Sequence, residues 1–323
     1  MHTKSICSRV GKVLFVVMFF FYGMSVYATE GNDSADLKNT DSVATSTYLI
    51  GHFFGIFDDN WEQRLRENTP FDKMDMVFIA FAHPYDHDGD GSYELGYENA
   101  HQDPPFTDQE RIDQIVSLAR EKNPSIKLLI SEGASMQDYW KSAQDPEVFA
   151  NSVVSMMRYH DLDGFDMDYE IDSDPITPEQ FRALITAVGQ RIKQASNEDG
   201  RGDNPYLFTI TPNGPALRVW DGKLVNQYVD YLNLQAYWGN SFHYIDKFKQ
   251  SGVDMSKILI GLASESYDQP ADDPQIYVEK AKEVGAKGVF AWRLDTDSVD
   301  QKGVPHYSIA KKLWELMGRD EAE

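Results

Sequence analysis

Short apolar runs alternate with longer amphipathic stretches from residue 47 onwards. Eight of the runs have the length and composition of buried strands, at residues 48–54, 76–82, 126–131, 164–168, 207–211, 231–236, 258–263 and 288–292. Each run is followed by a stretch in which a helix is expected. Eight strands that alternate with helices over about 270 residues predict an α/β fold, the (β/α)8 TIM barrel, in a single domain.

Signals for helix starts support this order. Capping boxes begin at Thr107 and Thr177, and Asp145 and Asp273 each precede a proline, as an N-cap residue does before a proline at the first helical position. A last helix is predicted over residues 307–317. A doubly wound open sheet is the alternative, but no G-x-G-x-x-G or phosphate-binding loop follows the first strand.

The stretch at residues 163–170 reads DGFDMDYE and contains four acids. With the period of a strand, Asp166, Asp168 and Glu170 share one face, and the apolar side chains share the other. Buried acids on one face repel each other and lose hydration, which raises the pKa of at least one of them and makes it a proton donor. An exposed edge strand with solvated acids is the other interpretation. As the fourth strand of a barrel, the stretch would place Glu170 at the mouth, where active sites of this fold lie.

The start of the chain has the pattern of a secretory signal, because a basic segment precedes an apolar run at 13–24 and a small-residue cleavage site ends at Ala28. A secreted or periplasmic protein is expected, with an uncleaved membrane anchor as the alternative. The next segment is polar and acidic, which is typical of a flexible linker. The predicted organisation is a signal peptide at 1–28, a linker at 29–46, the barrel at 47–318 and a tail at 319–323.

The chain has 52 Asp and Glu residues against 30 Lys and Arg residues, a formal net charge of −22. This charge opposes binding to nucleic acid and to anionic membranes, and it favours a neutral or cationic substrate. The single cysteine, Cys7, lies in the predicted signal, so the core must stabilise the mature protein without disulfides. We expect a monomer that does not bind membranes once the signal is removed.

The spacing Asp163-x-x-Asp166-x-Asp168-x-Glu170 resembles the D-x-x-D-x-D-x-E signature on the fourth strand of glycoside hydrolase family 18. That family contains chitinases, endo-β-N-acetylglucosaminidases and lectin-like members without activity. Further segments resemble its second, third, sixth and eighth strands, at residues 78–81, 131–134 (SEGA, similar to S-x-G-G), 233–237 and 288–292. The resemblance covers nearly the whole chain from residue 47 to 317 and implies the same barrel.

The resemblance implies a retaining, substrate-assisted mechanism in which the 2-acetamido group of the sugar acts as the nucleophile. Glu170 would protonate the leaving oxygen and then activate water, Asp168 would orient the acetamido group, and Asp166 would tune the charge of Asp168. Tyr237 would hydrogen-bond the acetamido oxygen, and Asp163 would be structural.

The resemblance also implies a set of substrate-binding residues. Trp292 would form the apolar floor under the sugar ring, and Gln235, Ser131 and Gly133 would shape the site around it. Trp238 stands where many chitinases have an aspartate, so one expected sugar contact is left open. The segment between the last two strands is too short for the α+β insertion of many chitinases, which predicts a shallow, open cleft.

We therefore predict a secreted glycosidase that hydrolyses β-1,4 linkages after N-acetylglucosamine in chitin or chitooligosaccharides. An endo-β-N-acetylglucosaminidase that cleaves the chitobiose core of N-glycans is the alternative. A lectin-like protein without turnover is a third possibility, which the presence of Glu170 disfavours. In each case the binding partner is a glycan that contains N-acetylglucosamine.

No cofactor or catalytic metal is expected. The segment D-H-D-G-D-G at 86–91 resembles the first half of a calcium loop, but Tyr97 stands where an EF-hand has its bidentate acid. The pattern therefore predicts at most a structural calcium site at Asp86, Asp88 and Asp90.

Overall fold

The computed structural model describes a large part of the chain, at residues 48–58, 60–97, 107–133, 136–170, 176–238, 242–265 and 270–319. The predicted signal peptide at 1–28, the linker at 29–46 and residues 320–323 of the tail lie outside the described residues. None of the helices in the described part is both long and apolar enough to cross a membrane.

Eight parallel strands form the centre of the molecule, with one short antiparallel strand, β3, beside β2. The strands are β1 (Leu49–Gly55), β2 (Met76–Tyr85), β3 (Glu94–Gly96), β4 (Lys127–Gly133), β5 (Gly164–Asp168), β6 (Leu207–Ile210), β7 (Tyr231–Gln235), β8 (Ile258–Ala263) and β9 (Gly288–Trp292). Gly51 of β1 is in register with Met76 of β2 and with Phe290 of β9, so the sheet closes on itself. The predicted (β/α)8 barrel is confirmed, and the open doubly wound sheet is excluded.

Helices surround this barrel, and the predicted start signals lie at their N-termini. The helices are α1 (Trp61–Arg64), α2 (Asp108–Lys122), α3 (Met136–Ser142), α4 (Pro146–Tyr159), α5 (Pro178–Glu198), α6 (Gly222–Tyr228), α7 (His243–Gln250), α8 (Pro274–Val284) and α9 (Ser308–Leu316). Thr107 and Thr177 form complete capping boxes, and Asp145 and Asp273 accept backbone N–H groups as N-caps. Only α8 lies between β8 and β9 in the described part, as expected without an insertion.

Two elements near the barrel mouth were not predicted. β2 continues to Tyr85 and pairs with β3, because a strand of three residues is too short to give a pattern in the sequence. The helix α3 follows β4 directly and ends before α4 begins, so its seven residues merge with the next helix in the sequence pattern. Both additions follow strand ends on the side where the site lies.

The hydrophobic core has two layers. The layer inside the barrel consists of large side chains that point to the barrel axis, including Phe53, Phe78, Leu129, Leu259 and Phe290. The larger layer lies between the strands and the helices. Because alternate residues of each strand enter alternate layers, a polar side chain on an inward position must find its partners inside the barrel.

Asp163 precedes β5 and is buried at its start. Its carboxylate accepts hydrogen bonds from Arg120 Nη2 at 2.6 Å, from Arg201 Nη2 at 2.9 Å and from the Leu128 backbone N–H at 3.1 Å. These contacts join β5 to β4, to the end of α2 and to the segment after α5. Asp163 therefore anchors the strand that carries the other acids.

We predict that Asp163→Ala lowers the free energy of unfolding by about 3 kcal/mol, because it removes the buried carboxylate that two arginines share. Urea unfolding measures this change. Asp203→Ala is the matched control, because Asp203 is exposed in a turn, and a change within about 0.5 kcal/mol is expected there. Equal effects of the two substitutions would contradict the anchoring role.

Candidate active site

The acids of β5 point into the barrel. Asp166 is fully buried and Asp168 is 3% exposed, while the residues between and beside them, Phe165, Met167 and Tyr169, lie in the outer hydrophobic layer. The predicted alternation is therefore correct, and the solvated edge strand is excluded. Glu170 lies two residues beyond the end of the strand and is exposed.

Asp166 is held by neutral hydrogen-bond donors. Its carboxylate accepts from the hydroxyls of Ser131 at 2.7 Å, Thr209 at 2.5 Å and Thr211 at 3.0 Å, and from Asn233 Nδ2 at 3.2 Å. Burial raises the pKa of Asp166 to about 6, and these hydrogen bonds act in the opposite direction. The donors come from β4, β7, β6 and the residue just beyond it, so Asp166 connects four neighbouring strands.

Gln235 joins the other two acids. Its Nε2 donates to Asp168 Oδ1 at 2.9 Å and to Glu170 Oε1 at 2.8 Å. Burial raises the pKa of Asp168 well above its usual range, and the charges of Glu170 and Asp166 raise it further. Burial and the two neighbouring charges therefore favour the protonated form of Asp168.

Gly133 lets β4 approach β5 at the level of Asp168. A Cβ atom at residue 133 would lie 2.7 Å from the Cβ of Asp168 and 3.0 Å from its backbone oxygen. Any side chain at this position would displace Asp168 or the strand. Gly133 thus affects the site by leaving room for Asp168 rather than by making a polar contact.

Tyr139 fixes the backbone at Glu170. The Glu170 N–H donates to the Tyr139 hydroxyl at 3.1 Å, and the Tyr139 ring lies 4.6 Å from the ring of Tyr169. Tyr139 is fully buried on α3. Sequence reasoning missed this residue, because its partner is a main-chain group and its helix was not predicted.

Tyr237 lies beside the acids, two residues beyond β7. Burial raises the pKa of its hydroxyl well above the usual value, and the charge of Asp168 is the next largest cause. The hydroxyl therefore keeps its proton and can donate a hydrogen bond. The Tyr237 ring meets the ring of Phe290 edge-on at 6.1 Å, so the barrel core orients it.

Trp292 at the end of β9 and Trp238 beyond the end of β7 provide aromatic surface on either side of β8. Trp292 stacks on Phe81 with ring centroids 5.8 Å apart, and its Nε1 donates to Glu265 Oε1 at 3.0 Å. Trp238 is 50% exposed, and its ring meets that of Tyr237 edge-on at 5.9 Å. Sequence reasoning missed Glu265, which also raises the pKa of Tyr237 by its charge and so links Trp292 to the acid group.

The structure thus brings the predicted site residues together at one end of the barrel. The acids and their direct partners are Ser131, Asp166, Asp168, Glu170 and Gln235, and Gly133, Tyr237, Trp238 and Trp292 lie around them. This arrangement offers an exposed acid, a buried acid pair, a hydroxyl donor and aromatic faces. Such a set can bind a sugar ring and move a proton at its edge.

The acidic loop between β2 and β3 lies on the surface. Ligand atoms of Asp86, Asp88 and Asp90 lie within 4.8 Å of one another, and all three residues are exposed. Backbone N–H groups already occupy part of these carboxylates, because Gly89 donates to Asp86 and Ser92 donates to Asp90, each at 2.7 Å. These hydrogen bonds explain the acids as turn-forming residues, and calcium binding stays a prediction.

The sequence model for glycosyl hydrolases family 18 matches residues 53–317, which is most of the barrel. This chain belongs to glycosyl hydrolase family 18. The family assignment agrees with the expectation from the acidic signature on β5. Chitinases of family 18 work without a cofactor, in accord with a site built from carboxyl, amide, hydroxyl and aromatic groups.

The individual relatives of this family 18 chain share low sequence identity with it. Chitinase A1 of Niallia circulans is 29% identical over 142 residues, which are 39% of this chain and only 20% of that protein. The chitinase-like agglutinin of Robinia pseudoacacia has a TM-score of 0.66 at 18% identity, and the family 18 chitinase of Cycas revoluta in complex with (GlcNAc)3 has 0.66 at 16%. Both alignments cover 83% of this chain and 99% of the other, and they show a shared fold.

We predict that Gly133→Ala lowers turnover of a family 18 substrate at least about tenfold, because the added methyl group displaces Asp168. Gly51→Ala is the matched control. It also crowds the barrel interior, where its Cβ would lie 2.8 Å from the ring of Phe78, but it is remote from the acids. Steady-state kinetics, with circular dichroism to verify folding, measure the difference, and similar losses in both variants would argue against this role.

Proposed function

We propose that this protein is a secreted, monomeric retaining glycosidase that hydrolyses β-1,4 linkages after N-acetylglucosamine in chitin or chitooligosaccharides. The observation that carries the proposal is the Gln235 bridge, which places buried Asp168 and exposed Glu170 on one amide. Relatives with 24 to 30% identity that are named chitinase or endochitinase support the substrate class. The signal-like sequence at the start of the chain supports secretion.

Glu170 is proposed as the general acid and base. It is the exposed member of the acid group, so it can reach a glycosidic oxygen in the cleft. Gln235 holds its carboxyl group and Tyr139 holds its backbone, which restricts the directions in which the proton can be delivered. After the leaving group departs, the same carboxylate would activate water.

The sugar is proposed to supply the nucleophile. Asp166 is fully buried behind hydroxyl and amide donors, and Asp168 is buried with a raised pKa, so neither presents an ionised oxygen to the anomeric carbon. A 2-acetamido oxygen can attack that carbon instead, with Tyr237 as its hydrogen-bond donor. As positive charge develops on the acetamido nitrogen, the proton of Asp168 would shift toward Asp166 and leave Asp168 ionised beside that charge.

The main test compares two substrates with one pair of variants. We expect release of chitobiose from chitooligosaccharides, and Glu170→Gln should lower kcat by about 10²–10⁴-fold while binding persists. Glu147→Gln, the same change at an exposed position of α4, should leave kcat unchanged. Release of N-glycans from a high-mannose glycoprotein without chitobiose release would instead indicate an endo-β-N-acetylglucosaminidase. Binding without product would indicate a lectin-like protein.

The acid limb of the pH profile tests the proton exchange between the aspartates. Turnover should fall as the pH drops through about 6, because protonated Asp166 can no longer take the proton of Asp168. Thr209→Val removes a donor that favours ionised Asp166, so its pKa rises and the limb moves to higher pH. Asp166→Asn should lower kcat and abolish this limb. A limb that stays at the same pH in both variants would refute the exchange.

A further inference from the structure

Glu132 is a fully buried carboxylic acid behind the site. It lies on β4 between Ser131 and Gly133, which face the acids, so strand alternation directs its side chain outward to α3. Its Oε1 contacts the hydroxyl of Ser142 at the end of α3. Its Oε2 has no hydrogen-bond partner among the described residues. A buried, ionised carboxylate with one contact would be costly, so the protonation state needs a separate argument.

Counting protons at Ser142 provides that argument. The Ser142 hydroxyl also contacts the backbone oxygen of Asp138 at 2.8 Å. A carbonyl oxygen can only accept, so the single hydroxyl proton of Ser142 is used there. The contact between Ser142 and Glu132 then needs a proton from Glu132. The geometry therefore favours a neutral Glu132 that donates to Ser142.

The electrostatic surroundings agree with this protonation state. Burial raises the pKa of Glu132 to about 8, and the charges of Asp138 and Asp166 raise it while Lys141 lowers it. A Ser142 hydroxyl that donated to ionised Glu132 would lower this pKa, but the proton of that hydroxyl is directed to Asp138. Tyr139, a third ionisable group of α3 near Glu132, has a pKa raised well above its usual value and stays neutral.

The Glu132 contact bears on Glu170 through α3. Ser142 and Tyr139 lie three residues apart on this seven-residue helix. Ser142 ties the helix to β4, and Tyr139 accepts the Glu170 N–H at 3.1 Å. A displacement of α3 from β4 would therefore move the backbone of Glu170. Hydrogen bonds therefore connect β4 to α3, and α3 to the backbone of Glu170.

We propose that protonated Glu132 is a positioning residue, which holds α3 against β4 so that Tyr139 fixes Glu170 for proton transfer. This inference rests on the proposed acid and base role of Glu170. When Glu132 loses its proton, it can no longer donate a hydrogen bond to Ser142, and a buried charge is left between α3 and β4. Turnover should then decline at alkaline pH beyond the decline caused by Glu170 itself.

Glu132→Gln tests the proposal, because an amide is neutral at every pH and its N–H can donate to Ser142. The ratio of kcat for this variant to kcat for the wild type should stay near one up to pH 7 and rise about tenfold by pH 9. Titration of Glu170 is common to both proteins and cancels in the ratio. Glu147→Gln, the matched control, should give a flat ratio. A flat ratio for Glu132→Gln would overturn the proposal.

Glu132→Leu tests the donor itself. Leucine has a similar size but no proton to donate, so kcat should fall at least about tenfold at pH 7 and its ratio to the wild type should rise above pH 8. Full activity of this variant at pH 7 would also overturn the proposal. If the leucine variant does not fold, Ser142→Ala replaces it with the same expected loss.

Thermal unfolding tests Glu132 without any activity. Its folded pKa of about 8 lies above the usual value of 4.5, so the folded state retains a proton that the unfolded state releases. The wild type should therefore lose Tm relative to Glu132→Gln between about pH 4.5 and 8, with no difference below and a constant difference above. If this Tm difference is seen but the protein does not hydrolyse its substrate, only the proposed function is contradicted. If the protein hydrolyses its substrate but the Tm difference is not seen, only the inference about Glu132 is contradicted.

Discussion

The burial of carboxyl groups at the end of β5 is the constraint on which the rest of the site depends. Asp166 is fully buried, yet its partners among the described residues are three hydroxyls and an amide rather than a cation. An arginine at this place would hold the carboxylate ionised at all relevant pH values. Neutral donors satisfy the oxygens and leave the pKa near 6, where a proton can be gained or lost. The chemistry of the strand therefore follows from the kind of donor that surrounds it.

Asp163, directly before the same strand, shows the contrast. It is buried like Asp166, three residues away, but Arg120 and Arg201 bind its carboxylate. Asp163 with its two cationic partners forms a structural ion pair, whereas Asp166 has only neutral donors and a pKa raised to about 6. The same residue type thus serves the scaffold at the start of β5 and the site at its end.

Most of the scaffold could be predicted from the sequence because local rules determine it. Strand periods, two capping boxes and two Asp-Pro starts depend on neighbours in the chain, and all are present in the structure. The acids of β5 were found because their alternation is unusual in a buried strand.

The supporting residues could not be found in this way. Tyr139 acts through a main-chain N–H, and Glu265 acts through the indole of Trp292, which is 27 positions further along the chain. Glu132 belongs to the SEGA segment, but the neighbouring residues Ser131 and Gly133 face the opposite side of the strand. Such contacts cross from one layer to another, and no periodicity in the sequence records which helix will cover which strand end.

The Gln235 side chain also determines what the site can recognise. Both of its contacts to Asp168 and Glu170 come from the same nitrogen, Nε2, which donates to one carboxyl oxygen of each acid. The amide is therefore polarised in one direction, with its oxygen turned away from the acids. A ligand that reaches this oxygen must bring a hydroxyl or an N–H rather than an acceptor. On this side the pocket selects for groups that give a proton, while Tyr237 selects for groups that receive one.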